Sequence, residues 1–259
     1  QKERDDEREE ERRKRETARQ IDNQHEATLQ AYYDKMSELL IDKGLGADPK
    51  EEVVAVARAI TLSALWKLDG SRNGSILRFL GDANLVQEGK IIQDLDMSQV
   101  DLSEANLLKA WLSESNLRYA NLSDANLRYA NLSDAKLDSV TWHNANLSKA
   151  NLNGVNLRKA NLKRIDLQEA FLRDADLHGA NLQDANLEKA WLISTWLDSA
   201  NLEGARLVEA CLDDADLTNA NLNGANLKNA RYNQRTKWPD NFDPKKAGAV
   251  FYEWSEEEE

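Results

Sequence analysis

Ala120-Asn121-Leu122-Ser123-Asp124-Ala125-Asn126-Leu127-Arg128-Tyr129 is two copies of one five-residue unit: a small residue, Asn or Asp, Leu, then two variable places. Read outward in both directions, the unit recurs twenty-nine times from Ile92 to Tyr232 without a slip in register. Leu102, Leu107, Leu112 and Leu117 hold the central place, and Leu continues there to Leu227 except at Trp142. Ala105, Ala110, Ala120 and Ala125 hold the small place, with Asn106, Asn121, Asp166 and Asp176 in the place that follows it. A strict short period marks a solenoid rather than an ordinary globular core. Extended backbone puts residues two apart on one side, so the Ala and Leu of a unit point inward together. The two variable places must then turn the chain. One short side and one corner per unit close a coil, and stacked coils hydrogen-bond at the strand spacing of about 4.8 Å. One unit alone buries too little to offset the entropy of ordering it, so the coils must cooperate. Both ends expose unpaired edges; the helical sequence before Ile92 and the segment Trp238–Trp254 are the obvious plugs.

The flanks read differently. Residues 1–20 carry eight Lys/Arg against eight Asp/Glu and no large apolar side chain, which predicts a solvated charged helix or stalk that frays toward Gln1. From Ile21 an apolar stripe runs through Leu29, Tyr32, Tyr33, Met36, Leu39 and Leu40 at helical spacing, ended by Gly44 and Gly46. Asp48-Pro49-Lys50-Glu51 predicts a helix start, with Asp48 as cap, Pro49 in the first position and Glu51 completing a capping box. Val53, Val54, Ala57, Ile60, Ala64, Leu65 and Leu68 form its buried side, and Asp69-Gly70 stops it. A third short helix is expected over Ser75–Leu80. The expected organisation is a stalk (1–20), a helical cap (21–81), a connector (82–91), the repeats (92–232) and a C-terminal cap with an acidic tail (233–259). In that last region the period breaks at Trp238-Pro239, Ala247–Trp254 reads as a closing strand, and Glu256–Glu259 as solvated.

The chain has 259 residues and a net charge of −12, with 41% hydrophobic and 31% charged residues, as expected of a folded, soluble chain. No apolar run approaches the roughly 18–20 residues of a membrane helix, and no signal-peptide pattern precedes the fold. The opening at Gln1 without Met suggests an excised or processed piece, with room for a membrane segment upstream. Cys211 is the single cysteine, which excludes an internal disulfide and permits a reducing compartment. The acidity argues against direct nucleic-acid binding.

The decapeptide 120–129 resembles the pentapeptide-repeat family, A-[DN]-L-x-x. The resemblance implies a mainly β fold: a right-handed quadrilateral β-helix with four units per coil and about seven coils, roughly 34 Å tall at the strand spacing, here behind an N-terminal α-helical cap and a long charged helix. Thr28–Leu40, Ala59–Leu62, Leu68–Gly70 and Gly74–Leu80 resemble segments of cyanobacterial pentapeptide-repeat proteins. In those proteins a hydrophobic membrane region often precedes a charged helix. The resemblance therefore implies a tether through a segment absent from this chain, and a place in the cytoplasm or on the peripheral face of a cyanobacterial membrane. It implies little about chemistry, because members of the family do different things.

With twenty residues to a coil, Trp111, Asn131, Asn151, Phe171, Trp191, Cys211 and Arg231 form one outer column, and Trp196 lies one side from Trp191. Trp111, Phe171, Trp191 and Trp196 are candidate protein-binding residues, since clustered exposed aromatics mark contact surfaces; the alternatives are that the chain's own helices cover them or that they are scattered. Trp142 in a Leu place is too large for its column, so either the coil bulges or the ring turns outward. Val140, Val155 and Ile165 in Ala places point to a locally wider tower. Glu114, Asp134, Asp174 and Asp214 form a candidate acidic column, interrupted by Gly154 and Ser194. An acidic strip on a rod resembles family members that protect gyrase by mimicking DNA. The repeats, however, hold 20 Asp/Glu against 14 Lys/Arg, and other columns alternate in sign: Arg118, Asp138, Arg158, and Lys149, Glu169, Lys189, Glu209. Alternation reads as ion-pair ladders.

Enzyme chemistry finds no support. His25, His143 and His178 are far apart, with no Cys in metal spacing and no Gly-rich phosphate loop. His178 reads as a structural surface residue. Cys211 has only Arg231 as a cationic neighbour that would activate it. The expected function is a non-catalytic scaffold for an unknown protein partner, without cofactor or metal and with a homodimer left open. The alternative is a DNA-mimicking regulator of a DNA-binding enzyme such as a gyrase.

Overall fold

The computed structural model describes residues 2–45, 49–85, 91 and 95–253. Gln1, Gly46, the expected cap Asp48, half of the connector (86–90), the first unit at Ile92, Trp254 and the tail Glu256–Glu259 lie outside the described residues.

The charged segment and the apolar stripe are one helix, α1, Lys2–Asp42. Its early turns hold together through exposed i,i+4 pairs, Arg13–Glu9, Lys14–Glu10 and Arg15–Glu11. Its later turns bury Leu29, Tyr32, Met36 and Leu39. After it the chain turns at Gly44, whose φ is +68°.

Helix α2, Glu51–Leu65, starts later than the sequence suggested. Pro49 stands before the helix, and Lys50 is the N-cap without a side-chain bond; Glu51 and Glu52 instead face the positive end of the helix dipole. Helix α3, Gly70–Asp82, starts earlier than Ser75. Asp69 does not stop α2; it caps α3, accepting the Arg72 N–H at 3.0 Å. Gly70 is buried where a Cβ would stand 2.1 Å from the Ser103 carbonyl oxygen, and at Gly74 one would stand 2.9 Å from Ala105 Cβ. The two glycines let α3 lie directly on the first coil. Buried Asn73 fastens the joint, its Nδ2 donating to the carbonyls of Leu65, Leu68 and Asp101 at 2.9, 3.2 and 2.8 Å. Arg72 ties α3 back to α1 through Asp22 and Glu26 and also pairs with Asp69, while His25 Nδ1 lies 3.0 Å from Asp69.

From Asp96 to Cys211 the Asn/Asp places, Thr141 apart, bridge in parallel to the residue twenty ahead, as in Asp96↔Asn116 and Asn116↔Lys136. Four five-residue sides therefore make a coil, with Leu and Ala buried inside it. At each corner the Ala N–H returns to the preceding Leu carbonyl, and the residue before Ala takes a positive φ: +58° at Glu104, +59° at Tyr129, +56° at Asp134. That conformation costs an L-residue about 1–2 kcal/mol. It is offset because the same residue's N–H reaches the next coil, as in Glu104 to Ser123 at 2.8 Å. The Asn place is also more than outward-facing. Asn121 Oδ1 accepts the Ser123 N–H at 3.1 Å, and its Nδ2 donates to Asp101 of the coil below at 3.2 Å. One side chain thus closes a turn and joins two coils.

Trp142 stays inside, 3% exposed, and the coil gives way around it. One core runs from Leu29 through the tower to Ala249. At the far end Asp216 bridges Lys237 rather than residue 236, so the period slips by one before Trp238. Strand β1, Arg231–Tyr232, then pairs in parallel with β2, Val250–Phe251. Tyr232, Trp238, Phe242 and Phe251 close this end as a ring cluster, with centroids 5.3–5.5 Å apart.

Candidate docking groove on the tower

Successive bridges place Trp111, Asn131, Asn151, Phe171, Trp191, Cys211 and Arg231 in one column. Phe171 and Trp191 stack with centroids 6.1 Å apart and planes 22° apart, and they are 43% and 47% exposed. No described helix covers them. Trp111 is exposed, but Asn131 and Asn151 separate it from the stacked pair. Trp196 is exposed on the next side of the coil, between Asp176 and Asp216. Of the four sequence candidates, the structure stacks two, sets one around the corner and leaves one apart.

The second wall is the corner column two residues earlier in each unit: Tyr129, followed by Lys149, Glu169, Lys189 and Glu209, the four that the sequence reading treated only as an ion-pair ladder. Lys149–Glu169 and Lys189–Glu209 pair at 3.3 and 3.6 Å, and Lys149 Nζ lies 5.5 Å from the Tyr129 ring centroid. Between the walls runs a cleft of about 540 Å³, reaching Cys211 and Arg231. Its signal was in the sequence as sign alternation beside an aromatic column. Cys211 is buried against Asp213, 3.2 Å from its carboxylate, with Arg231 Nη2 3.3 Å from the sulfur. Burial pushes the thiol's pKa up; the Asp213 backbone N–H and Arg231 pull it down and the Asp213 carboxylate adds to the rise, so that the net shift is upward. The groove therefore offers ring faces and paired charges but no activated nucleophile.

The acidic column is discontinuous. Glu114, Asp134, Asp174 and Asp214 all sit at positive-φ corners, with Gly154 and Ser194 between. Asp214 is engaged by Asn233 at 2.8 Å and Arg235 at 3.7 Å. Arg118 pairs with Asp138 at 2.6 Å, but Arg158 turns away from Asp138 to Asp176 at 3.0 Å, so that expected ladder breaks after one rung. His178 pairs with Asp198 one coil on. Among the described residues no group of three or more His, Cys, Asp or Glu stands where it could hold a metal, and no helix is long and apolar enough to cross a membrane.

A sequence profile described as a pentapeptide repeat region matches residues 95–172, and one described as pentapeptide repeats (8 copies) matches 160–195 and 197–231. The chain belongs to the pentapeptide-repeat family. Among solved structures this pentapeptide-repeat chain is similar to HetL, involved in heterocyst differentiation regulation, from the cyanobacterium Nostoc sp. strain PCC 7120: 27% identity over 59% of this chain and 83% of HetL, TM-score 0.31. A pentapeptide repeat protein of the Arabidopsis thaliana thylakoid lumen is 27% identical over 34% of this chain and 66% of its own, TM-score 0.29. QnrB1, a plasmid-mediated fluoroquinolone resistance protein, is 18% identical over 57% of this chain and 80% of its own, TM-score 0.30. No curated protein matches the sequence. The pentapeptide-repeat matches lie within the tower and leave helices α1–α3 outside them.

Proposed function

We propose that this pentapeptide-repeat protein is a non-catalytic scaffold whose right-handed quadrilateral tower docks a protein partner at the Phe171–Trp191 groove, with Trp196 contributing from the neighbouring side. Residues 1–20 act as the stalk, 21–81 as the cap, 82–91 as the connector, 92–232 as the tower and 233–259 as the closure. In the intact protein the stalk continues into a membrane tether at the cytoplasmic or peripheral face of a bacterial membrane.

The observation that carries this reading is the stacked, half-exposed ring pair in places where the repeat otherwise sets Asn. At Phe171 and Trp191 the side chain can no longer close its own turn. Arg173 N–H finds Asn153 of the coil below instead, at 2.8 Å. Giving up local bonds to expose two stacked rings fits a surface kept for contact. The partner this groove fits presents an apolar side chain to the rings and mixed charge to the Lys149–Glu169 and Lys189–Glu209 wall.

Pull-down from cyanobacterial membrane and soluble extracts, wild type beside Trp191→Asp and Trp111→Asp, tests the reading. A partner lost with Trp191→Asp and kept with Trp111→Asp is expected, with both variants melting near the wild-type Tm. Equal retention in all three moves docking elsewhere. Light scattering on the purified chain asks whether the occupant is a second copy, in which case Trp191→Asp turns a dimer into a monomer. The interrupted acidic column gives DNA mimicry no continuous strip. Gyrase inhibition lost on joint Asp134→Lys and Asp174→Lys substitution would nevertheless replace the docking reading.

A further inference from the structure

Between residues 137–144 and 156–163 the ladder joining two coils is open. On either side of that span, the N–H of each Leu, and of the residue two further on, reaches a carbonyl nineteen residues ahead: Leu132 to Asn151, Asp134 to Asn153, Leu147 to Asp166, Lys149 to Gln168. Among the described residues Ser139, Trp142 and Asn144 make no such bond, Asn161 does not bond back to Val140, and Leu137 and Asn156 keep only the weak bonds of the Lys136↔Asn156 bridge. The bridge expected between Thr141 and Asn161 is missing, while Lys136↔Asn156 and Asn146↔Asp166 hold at its two sides. The opening is therefore a window pinned at both corners. Its cause is volume. Trp142 is buried in a Leu place, with Val140, Val155 and Ile165 buried in Ala places around it. Arg158 turning away from Asp138 is the surface sign of the same separation.

A cleft of about 550 Å³ occupies the window, lined by Trp142, His143, Asn144, Asn161, Lys163 and Arg164 among others. No carboxylate lines it, in a protein of net charge −12. Neither Lys163 nor Arg164 pairs with an acidic side chain among the described residues, whereas Arg118, Lys149, Arg158, Lys189 and Arg206 do. The Trp142 indole nitrogen is buried without a partner. Backbone N–H groups freed from a ladder require acceptors, and two unpaired cations beside them select an acceptor that is negatively charged.

We propose that this window is a binding site for an oxyanion of the phosphate class, either free phosphate or a phosphate monoester headgroup. Phosphate suits the window because its oxygens accept from the freed N–H groups and the cations, while its remaining proton can be donated to a freed carbonyl such as that of Val140. Lys163 and Arg164 supply the charge, and the amides of Trp142 and Asn144 the direction. The site lies in a different cleft from the aromatic groove and does not depend on it.

The test is a titration of inorganic phosphate at constant ionic strength into 15N-labelled protein. Expected are saturable shifts of the Trp142 and Asn144 amides, an affinity at least tenfold weaker in the K163A/R164A double variant, and loss of binding in Trp142→Leu, where the coils can close. A second arm uses phosphatidate vesicles. Capture that depends on Lys163 and Arg164 assigns the anion to a headgroup, whereas phosphate shifts without capture assign it to the free ion. Shifts of equal size with sodium chloride, no shifts, or shifts unchanged in K163A/R164A would overturn the proposal. Unaltered melting of K163A/R164A excludes unfolding as the cause of any loss.

Discussion

At the residue scale, the Asn place shows how one side chain serves two levels of structure. Asn151 Oδ1 accepts the Asn153 N–H at 3.1 Å, and its Nδ2 donates to Asn131 at 3.1 Å. Asn151→Ala removes both bonds from a partly buried site and is expected to cost about 1–3 kcal/mol in urea unfolding. The reverse change is more telling. Trp191→Asn offers the Ile193 N–H an acceptor and withdraws an exposed indole, so the tower should melt at the wild-type temperature or a few degrees above it while docking is lost. A marked fall in Tm would mean that the stacked rings are structural, and the docking reading would lose its support. The sequence displayed these columns through the period alone. It did not display why Asn and Asp fill them, because that reason is a bond to a residue twenty places away. Trp142 was legible as a misfit, but whether the ring turned out or the coil yielded depended on neighbouring volume that only the fold assembles.

At the element scale, α3 is seated by its two glycines. Gly70→Ala drives a Cβ into the Ser103 backbone, where no flexible side-chain end can move aside. It should destabilise by about 1–3 kcal/mol, as overpacking does, and should release the helices from the tower before the tower melts. Chemical denaturation followed by helical and by β circular dichroism checks this: coincident transitions at wild-type stability would refute it. The helices themselves were readable from apolar spacing, but their limits were not. Asp69-Gly70 looks like a stop because the same pair makes turns; here Asp caps and Gly packs. The cap also titrates. Burial raises the Asp69 carboxyl's pKa, but bonds from the Arg72 backbone and guanidinium and from His25 outweigh burial and hold it below the ordinary carboxylate value. A depressed folded-state pKa contributes stability that is complete above the unfolded value and lost as pH falls through the folded one. Thermal melts between pH 5 and 2 should therefore show a loss in wild type that is smaller in Asp69→Asn.

At the scale of the whole molecule, stability follows a line rather than a sphere, because each coil touches only its neighbours. Such a stack is as cooperative as its weakest joint, and the window at Trp142 is that joint: the backbone bonds that tie coils elsewhere are missing along two adjoining sides. Above it the ladder is continuous from Leu147 to Leu212, and below it from Gln99 to Asp134. The tower should therefore open there first. In native-state hydrogen exchange, the amides of Leu137, Ser139, Trp142, Asn144, Asn156 and Asn161 should exchange well before those of 171–212, because local opening separates them from solvent by less free energy than global unfolding does. Trp142→Leu, with Val140→Ala to restore the narrow column, should remove the early-exchanging band and merge the two halves into one cooperative unit. Leu177→Ala, in the closed part, should cost about 2–5 kcal/mol yet leave the early band in place, since it weakens the stack without moving its weakest joint. If the early band instead moved to Leu177, or if protection were uniform in wild type, the coils would be coupled through the core strongly enough to ignore a broken ladder. The window would then be a feature of the surface alone.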